Sequence, residues 1–348
     1  MKKIWASLIM VGLLMGLITL TITNRSVMKT GYDQPGVAVK SKAQLVMELN
    51  RTLAMIRGLE NTLGRTGPQG YKVYAPQETG QLLKGYQELT LLVDYLNRGV
   101  WKTDDLNQWE GYPLVSGANK PYHYAQVFKS MNDLIAEKVP FKFIAHLKIY
   151  LLPDVIPGVS GLGGSGYILL SAQDLKADLI GNQLPVTLYH EIGHHVNFTF
   201  MAKDNGRGEK LWAQFLRIRG GTWHGPGSVN TKAWGESSEE TFAEDFRMLF
   251  GKDQPYFGDL ALGDPRVDPH NGTKEKQFIR ALAAEKDQTR YCSPWIPEGD
   301  LLFWQNQGPL LMGGWLFLSL LILSVRIMHS IEGQHRRPSS RQAVRLII

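Results

Sequence analysis

His190, Glu191 and His194 stand in an HExxH arrangement within the run Leu188-Tyr189-His190-Glu191-Ile192-Gly193-His194-His195. On an α-helix, positions i and i+4 lie about 40° apart around the axis, so two imidazoles at that spacing can converge on one ion. A neutral histidine pair suits zinc, and a carboxylate one residue along can take a proton from a water that the metal activates. Leu184, Val186, Leu188, Ile192 and Val196 supply the apolar residues of a buried helix around the motif, and Pro185 suits such a helix's first turn.

A hydrolytic zinc site needs a third protein ligand and one position left for water or substrate. The acidic run ESSEETFAEDF from Glu236 to Phe246 is the natural source, and it reads as a second helix. Phe242, Phe246, Leu249 and Phe250 fall at i, i+4, i+7 and i+8 on a core face, while Glu236, Glu240 and Glu244 gather on another. A carboxylate there could complete a metal site, and its neighbour one turn on could hold a ligand histidine by hydrogen bond. The competing reading of the run is a solvated acidic face.

His190-Glu191-x-x-His194 followed by Glu240-Thr241-Phe242-Ala243-Glu244-Asp245-Phe246 resembles the anthrax lethal factor type of zinc metalloprotease, whose second helix carries an E-x-F-A-E-x-F pattern. The resemblance covers roughly residues 140 to 250, under a third of the chain. It implies an α+β, zincin-like domain with a small mixed sheet, a metal helix and a glutamate helix, holding one Zn2+ per chain. It also implies His190, His194 and Glu240 as zinc ligands, Glu191 as the general base and Glu244 as a carboxylate supporting a ligand. That family places a tyrosine seven residues before the ligand glutamate to assist the transition state. This chain has Ala233 there, with Trp234 beside it. An indole N–H can donate a hydrogen bond but cannot shuttle a proton. His224, Trp234 and Tyr189 are the candidates for that role.

The segment ahead of the motif carries strand signals at residues 147–152 (LKIYLL) and 166–171 (GYILLS), with a helix start after Ser171. A strand beside the metal helix can receive an extended peptide by edge pairing. Gly161-Leu162-Gly163-Gly164-Ser165-Gly166 formally matches GxGxxG. A dinucleotide fingerprint must follow a strand directly and open a helix, whereas Pro153 and Pro157 separate this run from its strand and β-type residues follow it. A flexible loop or hairpin near the substrate cleft is the expectation.

The chain ends say where such chemistry would occur. Ile4 to Asn24 carries no charge and follows Lys2 and Lys3; its nineteen-residue apolar stretch, 4–22, would span about 28 Å as a helix, near the hydrocarbon thickness of a bilayer. An uncleaved anchor is favoured over a signal peptide because no small-x-small site follows. A second uncharged stretch, 301–325, has its apolar heart from Pro309 to Val325, and Arg326, Arg336, Arg337, Arg341 and Arg345 follow. By the positive-inside rule both termini are cytoplasmic, which places the intervening residues outside. Removing the seven basic and one acidic residues of the termini from totals of 38 and 32 leaves 31 of each sign between the spans. The basic balance is thus a membrane-orientation signature and gives no reason to invoke nucleic acid. A single cysteine, Cys292, excludes an internal disulfide.

Amphipathic helices are expected over 41–63 and 81–97, with the Gly- and Pro-rich segment 64–80 as a loop between them. The expected organisation is an N-terminal transmembrane anchor over 1–24, a helical extracytoplasmic subdomain over 25–130, a catalytic domain over 131–300, a transmembrane helix over 301–328 and a basic cytoplasmic tail over 329–348. The function expected of it is a membrane-anchored, extracytoplasmic zinc endopeptidase, with a protein or peptide substrate and the lipid bilayer as its partners. Two other readings stay open: a membrane metalloprotease with its active site facing the cytoplasm, and a non-catalytic zinc-bearing receptor or scaffold.

Overall fold

A computed structural model of the chain describes residues 40–98, 108–109, 112–113, 122–171, 180–201, 206–221, 236–256, 261–285 and 303. Among them are seven α-helices and two sheets, a mixed α+β architecture. Two compact units divide the chain: Met1–Asn50 with Leu302–Ile348, and Arg51–Leu301. No helix of the described residues is long and apolar enough to cross a membrane. Apart from residue 303, both expected spans lie outside the described residues, as does the helix expected after Ser171.

Helix α1 (Lys42–Thr62) begins on a reciprocal capping box: the Gln44 N–H donates to Ser41 Oγ at 3.3 Å and the Ser41 N–H to Gln44 Oε1 at 2.8 Å. Strands β1 (Arg65–Thr66) and β2 (Lys72–Tyr74) follow, then α2 (Pro76–Arg98). The segment expected to be a loop therefore carries two strands. Tyr71, Val73 and Tyr74 are fully buried, and their burial overrides the turn-forming glycines and prolines around them. A short hairpin of β3 (Gln108–Trp109) and β4 (Tyr112–Pro113) precedes α3 (Tyr124–Ala136). The expected domain boundary at residue 130 falls inside α3, whose Val127, Met131 and Leu134 join the core shared with the sheet.

Strands β5 (Lys148–Leu151), β6 (Gly161–Gly164) and β7 (Tyr167–Leu170) complete a five-stranded sheet in the order β1-β2-β5-β7-β6. Pairs β2–β5 and β5–β7 are parallel, and β6 runs antiparallel to β7 at the edge. Two of these strands sit where the β-branched and aromatic residues put them. The third, β6, is a glycine strand where a loop or hairpin was expected, and it does form a hairpin with β7.

Alternation along β5 assigns its faces. Ile149 and Leu151 enter the main core, whereas Tyr150 stacks on Tyr74 with ring centroids 4.7 Å apart. On that second face, the Glu60 carboxylate accepts from Lys148 Nζ at 2.9 Å, Tyr86 Oη at 3.0 Å and Tyr150 Oη at 3.2 Å. The end of α1 and the middle of α2 are thereby tied to the sheet. The main core is filled from α4 (Ile180–Val196), α5 (Arg207–Arg219), α6 (Ser238–Phe250) and α7 (Pro269–Leu282), with Phe215, Phe242 and Phe246 fully buried. Pro185 was expected in the first turn of the metal helix; α4 starts five residues earlier, so the proline lies in the second turn.

The elements α5, α6 and α7 share one buried charge cluster. Arg219 Nε lies 2.6 Å from Asp245 Oδ2 and 3.6 Å from Glu275 Oε2, and both acids are fully buried. One guanidinium serves two carboxylates. Burial, and then the neighbouring Glu275, pushes the Asp245 carboxyl well above its usual range. Replacing Arg219 with Leu strands the acids and should cost about 3–5 kcal/mol in denaturant unfolding. A raised acid adds stability that is complete below its unfolded pKa, about 4 for Asp, and is lost as pH rises through the folded value. Asp245→Asn should therefore gain stability relative to the parent chain as pH increases, measured as the difference in urea midpoints between pH 5 and 9. A pH-independent difference would contradict the raised Asp245 carboxyl.

Candidate metal centre

Helix α4 presents His190 and His194 one turn apart, and α6 brings Glu240 opposite them. His190 Nε2 is 3.1 Å from Glu240 Oε2 and 3.1 Å from His194 Nε2, and His194 Nε2 is 3.3 Å from Glu240 Oε2. Three lone-pair atoms thus meet in a near-equilateral triangle. These three residues could hold one metal ion.

Close approach of two helices makes this triangle possible. A Cβ at Gly193 would lie 2.6 Å from Ala243 Cα, so the helices cross with backbone nearly against backbone. Any larger residue at Gly193 would push α4 from α6 and separate the histidines from the glutamate. The start of α6 is set by Ser237, whose Oγ accepts the Glu240 N–H at 3.4 Å. Ser237-x-x-Glu240 has the spacing of a capping box, yet the Glu240 carboxylate turns to the histidines instead of back to the cap. Glu236, expected on the same face, is exposed ahead of the helix.

Glu244, one turn beyond Glu240, places Oε2 2.9 Å from His190 Nδ1. That contact directs the imidazole's Nε2 toward the centre. The Glu244 carboxylate is itself gripped by the fully buried Arg247, whose Nε donates to Oε2 at 2.8 Å and whose Nη2 pairs with Oε1. Arg247 Nη2 also donates to the Pro255 carbonyl at 2.9 Å. The sequence reading passed over this arginine, although its i+3 position from Glu244 is the spacing of a helical ion pair.

Charge follows from this arrangement. Burial opposes a charge on His190, but Glu240 and Glu244 as hydrogen-bond partners, with Glu191 nearby, outweigh it and draw its pKa up to about 10. Burial likewise opposes ionisation of Glu240, yet both histidines hold it well below the usual carboxylate range. Against its own burial, Glu244 is brought down to about 2 by His190 and Arg247. The pocket is an electronegative field that favours a cation. Glu191 differs: burial dominates and raises its pKa, only partly offset by the two histidines.

Glu191 lies under the glycine strand. A Cβ at Gly161 would come within 2.8 Å of Glu191 Cγ, and one at Gly163 within 2.3 Å of the Glu191 carbonyl oxygen and 2.8 Å of His194 Cβ. The glycines are there to let β6 lie on α4 above the motif. A cleft of about 1050 Å³ opens between them, lined among others by Leu162, Ser165, Val186, His194 and Phe198. Phe198 stacks on His194 at 6.1 Å between centroids, from a π-helical turn (Asn197–Met201) that continues α4.

Of the three transition-state candidates, Tyr189 is placed in the core: it is 2% exposed and its hydroxyl donates to the Ser130 carbonyl at 2.7 Å. One residue from His190 is about 100° around the helix, so sequence adjacency points its ring away from the cluster. His224 and Trp234 lie outside the described residues, as does Ala233. No protein-family model matches the chain, and no curated protein shows significant similarity to it.

The helix crossing yields a direct test. Gly193→Ala leaves all three ligand side chains intact but forces α4 from α6, so metal affinity measured by competition with a chromophoric chelator should fall at least about tenfold. Unchanged affinity would mean that the crossing distance does not control the site.

Proposed function

We propose that the chain is a zinc-dependent endopeptidase of the lethal factor type, anchored by two membrane spans with its catalytic domain outside the cytoplasm. The observation that carries this reading is the triangle of His190, His194 and Glu240 donor atoms beside Glu191 and beneath an edge strand. Tetrahedral zinc with nitrogen and oxygen ligands at about 2.0–2.1 Å sets those ligands about 3.3 Å apart. The separations of 3.1, 3.1 and 3.3 Å fit it without rearrangement. The donor set, two imidazoles and one carboxylate, is that of a catalytic zinc and leaves one coordination position.

Zinc bound there would supply Lewis acidity, polarising the scissile carbonyl and acidifying a water. The chain's own groups do the rest. Glu191 takes the proton from the attacking water and delivers it to the leaving amine; burial lifts its pKa toward the range where a carboxylate can do both. Glu244, held by Arg247, keeps His190 oriented. Among the described residues, strand β6 is paired on one side only, so its other edge can hydrogen-bond an extended peptide and lay it across the cleft. The chain matches the family's tyrosine position with Ala233, so the oxyanion partner must come from another residue.

Glu191→Gln should retain one zinc per chain and lose peptide hydrolysis by at least about a thousandfold, assayed on an unbiased peptide library. Glu240→Ala should lose the metal itself. A zinc-loaded parent chain that cleaves nothing in the library would favour the receptor or scaffold reading. Reporter fusions at residues 30 and 300 should both report an extracytoplasmic location, whereas cytoplasmic signals from both would invert the topology.

A further inference from the structure

The residue that follows the second motif histidine takes no part in the metal cluster, yet it is among the best-placed polar groups of the site. His195 is 3% exposed, and its Nδ1 accepts the Gly166 N–H at 2.8 Å. The same nitrogen lies 3.2 Å from the Gly164 carbonyl oxygen, so the ring meets the backbone on both sides of the hairpin turn. Thr199, one turn on and 1% exposed, brings Oγ1 to 3.2 Å from the same nitrogen and 3.0 Å from Ser165 Oγ. Gly166, with φ at +86°, and Ser165 are the turn that joins β6 to β7. Three side chains therefore tie the hairpin turn to the helix that carries the metal ligands.

That tie matters because, among the described residues, β6 has a sheet neighbour on one side only. The glycines let the strand descend onto α4, but absent side chains cannot hold it there. A peptide paired to β6 is presented to the centre at whatever height and register the strand adopts, and a misplacement of about 1 Å can cost about a hundredfold in rate. We propose that His195, with Thr199 and Ser165, is a positioning clamp that sets the substrate strand over the metal centre, so that the chain acts on extended peptides long enough to pair with β6. The proposal rests on the endopeptidase reading for its substrate, while the clamp itself is a property of the fold.

The test uses the full chain. His195→Leu removes the acceptor, and His195→Asn restores an acceptor oxygen near the position of Nδ1. In His195→Leu, zinc content should stay at one per chain. Hydrogen exchange at the amides of residues 164–167 should accelerate about tenfold, and kcat/KM for a peptide spanning β6 should fall at least about tenfold, with kcat carrying part of the loss. His195→Asn should recover most of both effects. Thr199→Val, which removes only a hydroxyl, should accelerate the same amides and keeps the test available if the leucine variant does not fold. Unchanged exchange at residues 164–167 in these variants, or loss of zinc from His195→Asn, would overturn the clamp. If the parent chain cleaves no peptide, the endopeptidase reading falls, and the exchange data still decide the clamp on their own.

Discussion

Three donor atoms from two helices lie 3.1–3.3 Å from one another, a crowding of electron-rich groups that a cation held between them would relieve. Most of what surrounds the site maintains this crowding. Gly193 against Ala243 sets the helix crossing, the Ser237 cap sets where Glu240 leaves the backbone, and Arg247 neutralises Glu244 so that it can orient His190 without adding a free buried charge. Phe242 and Phe246 anchor the opposite face of α6 in the core, which resists the repulsion between its carboxylates. The site is thus held by packing on one face of α6 and by charge on the other.

The same helix answers to a second buried charge cluster one residue away from Glu244. Asp245 faces Arg219 and Glu275, so adjacent residues of α6 point into two polar centres within a largely apolar interior. The arrangement fixes α6 rotationally, because turning it to satisfy one cluster would break the other. A functional centre that requires its third ligand within a few tenths of an ångström benefits from such a lock.

Much of the centre was legible in the sequence because helices announce themselves through spacing. His190, His194, Glu240 and Glu244 lie where a period of 3.6 residues puts them, and the phenylalanines of α6 mark its buried face. Strands β5 and β7 were legible through their aromatic and branched residues. Strand β6 was not, since glycine has low β-propensity and its place is dictated by the backbone of α4 beneath it, a tertiary contact with no local signature. Strand β2 is three residues long and sits among turn formers, so its pairing with β1 and with Lys148–Tyr150 reveals it where its composition does not. Tyr189, a candidate for the transition-state role, is sent into the core by helical geometry.

X-ray absorption at the zinc edge of the purified, zinc-loaded chain reads out whether two imidazoles and one carboxylate hold one zinc ion. The expected spectrum is that of a four-coordinate ion with nitrogen and oxygen neighbours at about 2.0–2.1 Å, including the multiple-scattering signature of two imidazoles and no sulfur shell at about 2.3 Å. A sulfur ligand, a single imidazole, or a six-coordinate hydrated ion would contradict it.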